Sequence, residues 1–343
     1  MTISAYVDAN PGIRTRSHPK AWHLFLALVS CASLLPFVAI PFAQLIIPKT
    51  APALFILTAL TFFGANFHVA STGWFYTDPA MRAHFRARPL RYLLVPSFLV
   101  VASAAAFYFL DPRLSAYLLI PFFCWQLWHY QKQNVGLLSF VAAGTDGGPL
   151  SSWERRTLAL SAFAGILGFF QPFDIGLPNL STEFASLHRI GARICWLLPI
   201  AFCLAVVENP ALRTNWLRLT FFLFGTLFFL PLFIFSDSVS ATLGYALGHG
   251  LQYLVFMGFV GAGRKNAAVS LATLLAVGTI GAVVLNAALQ APDWLASPSC
   301  RAVYGAFYGV VMTHFVVDAG VWRLREAFQR SYMREKFYFI FSR

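Results

Sequence analysis

Residues 313–326 read THFVVDAGVWRLRE, and the fold turns on that stretch. His314 and Asp318 stand four residues apart inside an apolar run that ends in Arg323 and Arg325. Residues three and four apart share a helix face. A greasy helix with a histidine and a carboxylate on one side, stopping at arginines, fits a membrane span whose polar side looks inward.

The rest of the chain supports that reading. Of 343 residues, 58% are hydrophobic and 11% charged, and the mean hydropathy is +0.66. A soluble chain would carry about 25% charged residues. Most of the sequence falls into apolar blocks of roughly 20 residues, each able to cross a bilayer core of about 30 Å. The expected fold is all-α, a polytopic integral membrane helical bundle of about ten transmembrane helices. The expected spans are 21–47, 52–77, 92–110, 115–142, 157–172, 189–207, 216–235, 239–262, 268–290 and 302–323. Turn-forming stretches such as IPKTAP, GTDGGP, ENP and APDW separate them.

Net charge +12 does not point to nucleic acid here, because Lys and Arg gather in alternate loops of this parse. Cytoplasmic loops collect Lys and Arg, so both termini are expected on the cytoplasmic side. Three regions result: a cytoplasmic N-terminal segment 1–20, a single transmembrane domain 21–323, and a basic, aromatic cytoplasmic tail 324–343 suited to lie along the membrane surface. The N-terminal segment lacks the apolar core of a cleaved signal peptide. With the preference for Arg over Lys, that points to a bacterial inner membrane. The five cysteines show no CxxC spacing, so no disulfide framework is expected.

Eight histidines divide into two sets. His18, His23, His84 and His188 fall at span ends or in loops, with ordinary interfacial explanations, although the loop around His84 could fold back over a site. His68, His129, His249 and His314 fall within expected spans that all run from outside to inside. Each lies roughly 11 to 17 residues from the outer end of its span, about 16 to 25 Å deep at about 1.5 Å per residue. One such histidine alone is best read as bonded to a neighbouring helix. Four at one level are read together as metal ligands, since neutral imidazole is the commonest such ligand and a shared ion removes the burial problem of all four.

Each histidine has polar neighbours at helical spacing: Gln126 and Gln133 around His129, Gln252 and Tyr253 after His249, Ser71 and Thr72 after His68, and Asp318 after His314. Such groups can orient a ligand histidine through its second ring nitrogen, or simply join helices. Asp318, Gln133 and Tyr253 are the candidates for catalytic roles, with Gln126, Lys132 and Gln252 as supporting or ion-pairing groups. Asp318 has three readings: metal ligand, orienting partner of a histidine, or counter-ion of Lys132. The pairs Gly244/Gly248 and Gly305/Gly309 would let helices approach closely.

One buried aspartate cannot build a carboxylate-bridged di-iron centre, and the histidine clusters of membrane desaturases are absent. A site rich in histidine fits non-haem iron first, then copper, with zinc also compatible. Its depth suggests a lipidic substrate and, for redox chemistry, an electron donor on the cytoplasmic side. The leading expectation is a membrane-embedded, O2-using, metal-dependent oxidoreductase. Carotenoid-cleaving membrane enzymes of bacteria are similar in kind, being polytopic with a four-histidine iron, though their motifs do not occur here. The alternatives are bis-histidine haem ligation and a proton- or ion-coupled transporter using the buried His, Asp and Lys groups.

Overall fold

The computed structural model describes residues 19–46, 62–145, 148–171, 177–235, 238–289 and 297–341, and every regular element among them is helical. The expected segment 1–20 lies outside them up to residue 18, as does the first part of the expected second span.

Helix α1 runs Pro19–Ile46. The segment 62–77, α2, is irregular: a π-helical turn Phe62–Phe67, one α-turn His68–Ser71, then a 3-10 turn Thr72–Thr77. Short α3 (Pro79–Arg86) is capped by Asp78, whose carboxylate accepts from the Met81 amide at 3.0 Å. Then follow α4 (Leu90–Phe109), α5 (Pro112–Gly144), α6 (Ser152–Phe169), α7 (Pro178–Glu208), α8 (Pro210–Thr214) and α9 (Trp216–Leu227). The chain closes with α10 (Pro231–Ile234), α11 (Ser238–Ala262), α12 (Ala267–Leu289), α13 (Pro298–Val321), α14 (Ala327–Lys336) and α15 (Tyr338–Phe341). Asp111, Ser151, Asn215 and Ser297 cap their helices as short polar residues do.

Among the described residues four helices, α4, α7, α12 and α13, have the length and hydropathy to cross a membrane. Their outer faces carry large apolar side chains, such as Phe109 at 80% and Trp196 at 81% exposure. A soluble surface would not hold so many; lipid would cover them. The chain is therefore a helical membrane protein. All five cysteines are free.

The interior divides into two apolar clusters. One gathers Phe25, Phe256, Met257, Val317 and Phe337; the other Phe107, Phe122, Tyr130, Tyr308 and Phe315. On α11 the second cluster holds Tyr245 and the first holds Tyr253, with His249 between; on α13 the second holds Val311 and the first Val317, with His314 between. The histidines thus lie at the seam between the two clusters.

Helix α13 packs along α4, α6 along α7, and α1 along α11. At the first of these contacts the Gly305/Gly309 pair works as small residues do: a Cβ on either would overlap the α4 backbone, at Ser103 and Val100. Their purpose is this crossing and not the meeting of histidine-bearing helices.

Two departures from the sequence reading concern the ends of helices. The 324–343 tail does not simply lie on a surface. Tyr332, Met333, Phe337 and Phe339 are buried in the first apolar cluster, and Tyr332 Oη donates to Asp78 Oδ2 at 3.1 Å, where Arg264 also binds through Nε at 2.8 Å. Asp318 is not the only buried carboxylate among the described residues: Glu154, in the first turn of α6, is wholly buried. Arg218 Nε and Nη2 bind its two oxygens at 2.9 and 2.8 Å. The Ser151 amide and Asn209 Nδ2 also donate to Glu154 Oε2.

Candidate metal centre

His68, His129, His249 and His314 come together. Their ring centroids form a closed cycle: His68 to His249 at 4.9 Å, His249 to His129 at 5.1 Å, His129 to His314 at 5.0 Å, and His314 to His68 at 5.0 Å. Neighbouring rings stand nearly perpendicular, with interplanar angles of 76–87°. All four are buried. No Nε2 among them has a hydrogen-bond partner, nor does His249 Nδ1.

Local structure explains how the cycle closes. The π-turn before His68 adds a residue to the helix, a device that recurs at functional sites. The Gly64 carbonyl accepts from His68 Nδ1 at 2.7 Å, which fixes that tautomer and leaves the Nε2 lone pair free. Glycine 250, next to His249, is where α11 crosses this turn, and any Cβ there would overlap the Gly64 carbonyl. The backbones of α2 and α11 therefore touch beside the two histidines.

The 3-10 turn after His68 directs Thr72 to the far side of the cycle. Thr72 Oγ1 lies 2.6 Å from His314 Nδ1 and 2.8 Å from Tyr253 Oη. If Nε2 of His314 faces an ion, its Nδ1–H donates to Thr72, Thr72 donates to Tyr253, and Tyr253 lies beside Asp318. A metal-bound histidine is usually oriented by a partner of this kind.

Asp318 is 5% exposed. Its Oδ1 accepts from Trp322 Nε1 at 2.9 Å, and its Oδ2 lies 3.9 Å from His129 Nε2. Lys132 takes no part: it is exposed on α5, with its ammonium over the Trp128 ring at 5.2 Å. The counter-ion reading of Asp318 therefore has no geometric support.

Ligand atoms of His68, His249 and His314 lie within 4.8 Å of one another, as do those of His129, His314 and Asp318. Two ligands on one tetrahedral ion stand about 3.3 Å apart, so a closure of up to about 1.5 Å would bring either group into coordination.

The glutamines support the centre from outside. Gln133 Nε2 donates to the His249 carbonyl and to Gln252 Oε1, both at 2.9 Å, and Gln252 Nε2 donates to Ser33 on α1 at 2.8 Å. This ties α5, α11 and α1 together. Gln126 Nε2 donates to Tyr130 Oη at 2.6 Å, and the Tyr130 ring lies 4.1 Å from that of His249. Tyr130, Trp322 and the Phe315 ring stacked on His129 at 4.6 Å were not singled out in the sequence. Trp322 alone left a signal, at four residues past Asp318.

On the side of the second apolar cluster the centre borders a cavity of 260 Å³, with His68, Phe122, Tyr245 and Phe307 in its wall.

Fold and site together define a helical membrane protein with a buried histidine cluster able to hold a metal ion. Set against protein families, curated proteins and solved structures, the chain matches none.

Proposed function

We propose that this chain is a membrane-embedded, metal-dependent oxidoreductase that uses O2 on a lipidic substrate. His68, His129, His249 and His314 hold the ion, non-haem iron or copper. The observation that carries this reading is the closed cycle of four buried imidazoles whose Nε2 atoms have no partner. Buried polar atoms are nearly always paired, and these unpaired nitrogens fall in two overlapping groups, His68 with His249 and His314 and His129 with His314 and Asp318, that a cation can satisfy. Imidazole donors favour iron, copper or zinc over magnesium and calcium, and of these iron and copper supply one-electron and O2 chemistry.

The chain's own residues have separable tasks. His68 and His314 are held in the Nδ1–H tautomer by Gly64 and Thr72. Asp318, with Oδ2 3.9 Å from His129 Nε2, supplies negative charge beside that histidine as a further ligand. Tyr253, between Thr72 and Asp318, can hold or pass a proton. The apolar cavity at His68 suits a lipidic substrate, with the aromatic wall excluding water.

Two alternatives fit less well. Bis-histidine haem ligation needs a macrocycle between two imidazoles, and neighbouring rings of the cycle, about 5 Å apart centroid to centroid, stand too close to take one between them. A transporter relay of His, Asp and Lys lacks its cation, because Lys132 faces outward. The ten-span topology, with both termini cytoplasmic in a bacterial inner membrane, belongs to the same proposal. It would place the tail and its electron donor on the cytoplasmic side.

The test is metal analysis by mass spectrometry with a visible spectrum, on protein purified in mild detergent. About one iron or copper per chain, without a Soret band and lost in His129→Ala and His314→Ala, is the expected result. A Soret band moves the histidines to haem. Folded protein with neither metal nor haem sinks the reading.

A further inference from the structure

The 260 Å³ cavity shares His68 with the histidine cycle, and its wall is otherwise built almost wholly of aromatic and aliphatic side chains. Few polar groups reach it, and most are already engaged. Gln126 donates to Tyr130, and Tyr308 Oη donates to Tyr304 Oη at 2.9 Å. Asn66 differs. It stands in the cavity wall, 1% exposed, with Nδ2 lacking any partner. A buried amide donor left unpaired costs stability and calls for an explanation. It sits two residues before His68, on the same π-turn that aims the histidine.

The volume limits what can enter. At 260 Å³ the cavity lies just below the about 300–1,000 Å³ of typical ligand pockets, room for one end of a lipid. Small-molecule sites typically combine an apolar body with a few placed polar groups, and here the unpaired Asn66 amide would fix the orientation.

We propose that this cavity is the chamber for the reacting end of an apolar lipid bearing a carbonyl oxygen, which Asn66 Nδ2 holds beside His68. The chemistry done there rests on the metal reading above; the binding does not. The Asn66 amide then serves substrate binding at a cost in stability.

The test uses the full chain in lipid nanodiscs and two photoreactive probes, a ten-carbon methyl ketone and the hydrocarbon of equal length, each with a terminal diazirine. Labelled peptides are mapped by mass spectrometry, and metal content is measured on the same sample. The ketone is expected to label residues of the wall, such as Phe122, Phe307 and Val311, more strongly than the hydrocarbon does. Asn66→Leu should lower ketone labelling about fivefold to tenfold, leave hydrocarbon labelling unchanged, and raise the Tm of ligand-free protein. Val311→Phe, which fills the cavity, should reduce both labels.

Ketone labelling that is equal in Asn66→Leu and wild type, or confined to lipid-facing helix surfaces, overturns the proposal. So does an alcohol probe that outcompetes the ketone, because it would replace the carbonyl by a hydroxyl. Wall labelling in protein that carries no metal leaves the chamber standing and overturns the metal reading. Metal without wall labelling overturns the chamber alone.

Discussion

Two buried polar clusters in this molecule show opposite accounting of hydrogen bonds. Around Glu154, the carboxylate receives Arg218 through two nitrogens, the Ser151 amide and Asn209, and Arg218 Nη2 also donates to the Pro149 carbonyl at 3.0 Å. Both charged side chains are 0% exposed, and charge, donors and acceptors match within the protein. Around His249 the same degree of burial leaves both ring nitrogens unpaired. The difference separates a structural knot, complete in itself, from a site completed by something else. Burial alone does not distinguish them; the unpaired atoms do.

That contrast can be broken or sharpened by mutation. The largest expected effect is on the knot. Glu154→Gln leaves Arg218 buried without its counter-charge, which costs about 3–5 kcal/mol, read as a fall in the midpoint of detergent-solubilised unfolding. Metal content per folded chain should not change; if it does, the two clusters are coupled and the contrast fails.

At the histidine cycle the pattern should invert. His249→Leu is expected to abolish stoichiometric metal binding while leaving the metal-free protein as stable as wild type or more so, since it replaces an unpaired polar ring by an apolar side chain. A metal-free variant that melts well below metal-free wild type would show that His249 is structural after all.

Next comes Thr72→Val, which keeps the shape but removes the acceptor of His314. Metal affinity should fall about 10–100-fold, measured by competition with a chelator. Trp322→Phe frees Asp318 Oδ1 and should weaken binding less, by about threefold to tenfold. Equal losses for the two would mean that Asp318 matters as much as the tautomer of His314.

The smallest effect concerns pH at the tail. His84 stacks on Phe328 at 4.1 Å, and its Nε2 accepts from Gln329 Nε2 at 3.2 Å. Its pKa is held below the ordinary histidine value, first by burial and then by the Arg88 charge. The unfolded chain takes up a proton near pH 6.5, before the folded one does. The docked tail is therefore fully stabilised above that pH and loses stability as pH falls through and below it. Faster hydrogen exchange in 327–341 at pH 5 than at pH 7.5 would show this, and His84→Gln, an acceptor that does not titrate, should flatten it.

How far the sequence could be read depends on which physical quantity carries each feature. Helices and membrane character follow from composition and apolar run length, which act locally, and depth within a span follows from counting residues. That is why His68, His129, His249 and His314 could be grouped. The partners of those histidines depend on helix rotation, which irregular turns reset. Thr72 reaches His314 only because the chain tightens from α into 3-10 geometry after Ser71, and nothing in the letters marks that change. Lys132 sits one turn from His129 in number yet points away, over Trp128. Glu154 and Asn66 escaped notice for a similar reason: one lies in a first helical turn near a loop, the other beside an obvious ligand, and only tertiary packing buries them. The tail was misjudged because basic residues mask the spacing of Tyr332, Met333 and Phe337, the face that enters the core.

The contact of Gly250 with the Gly64 carbonyl has a consequence for which ion the protein would accept. Two main chains in contact cannot be brought closer by changing a rotamer, so any closure around an ion falls to the rings of His68 and His249, and the backbone separation sets how far those rings must reach. Substituting Gly250 by alanine, whose Cβ would overlap the Gly64 carbonyl, is then a way to part the two backbones and to shift preference toward larger ions, a form of discrimination that ligand chemistry alone does not provide.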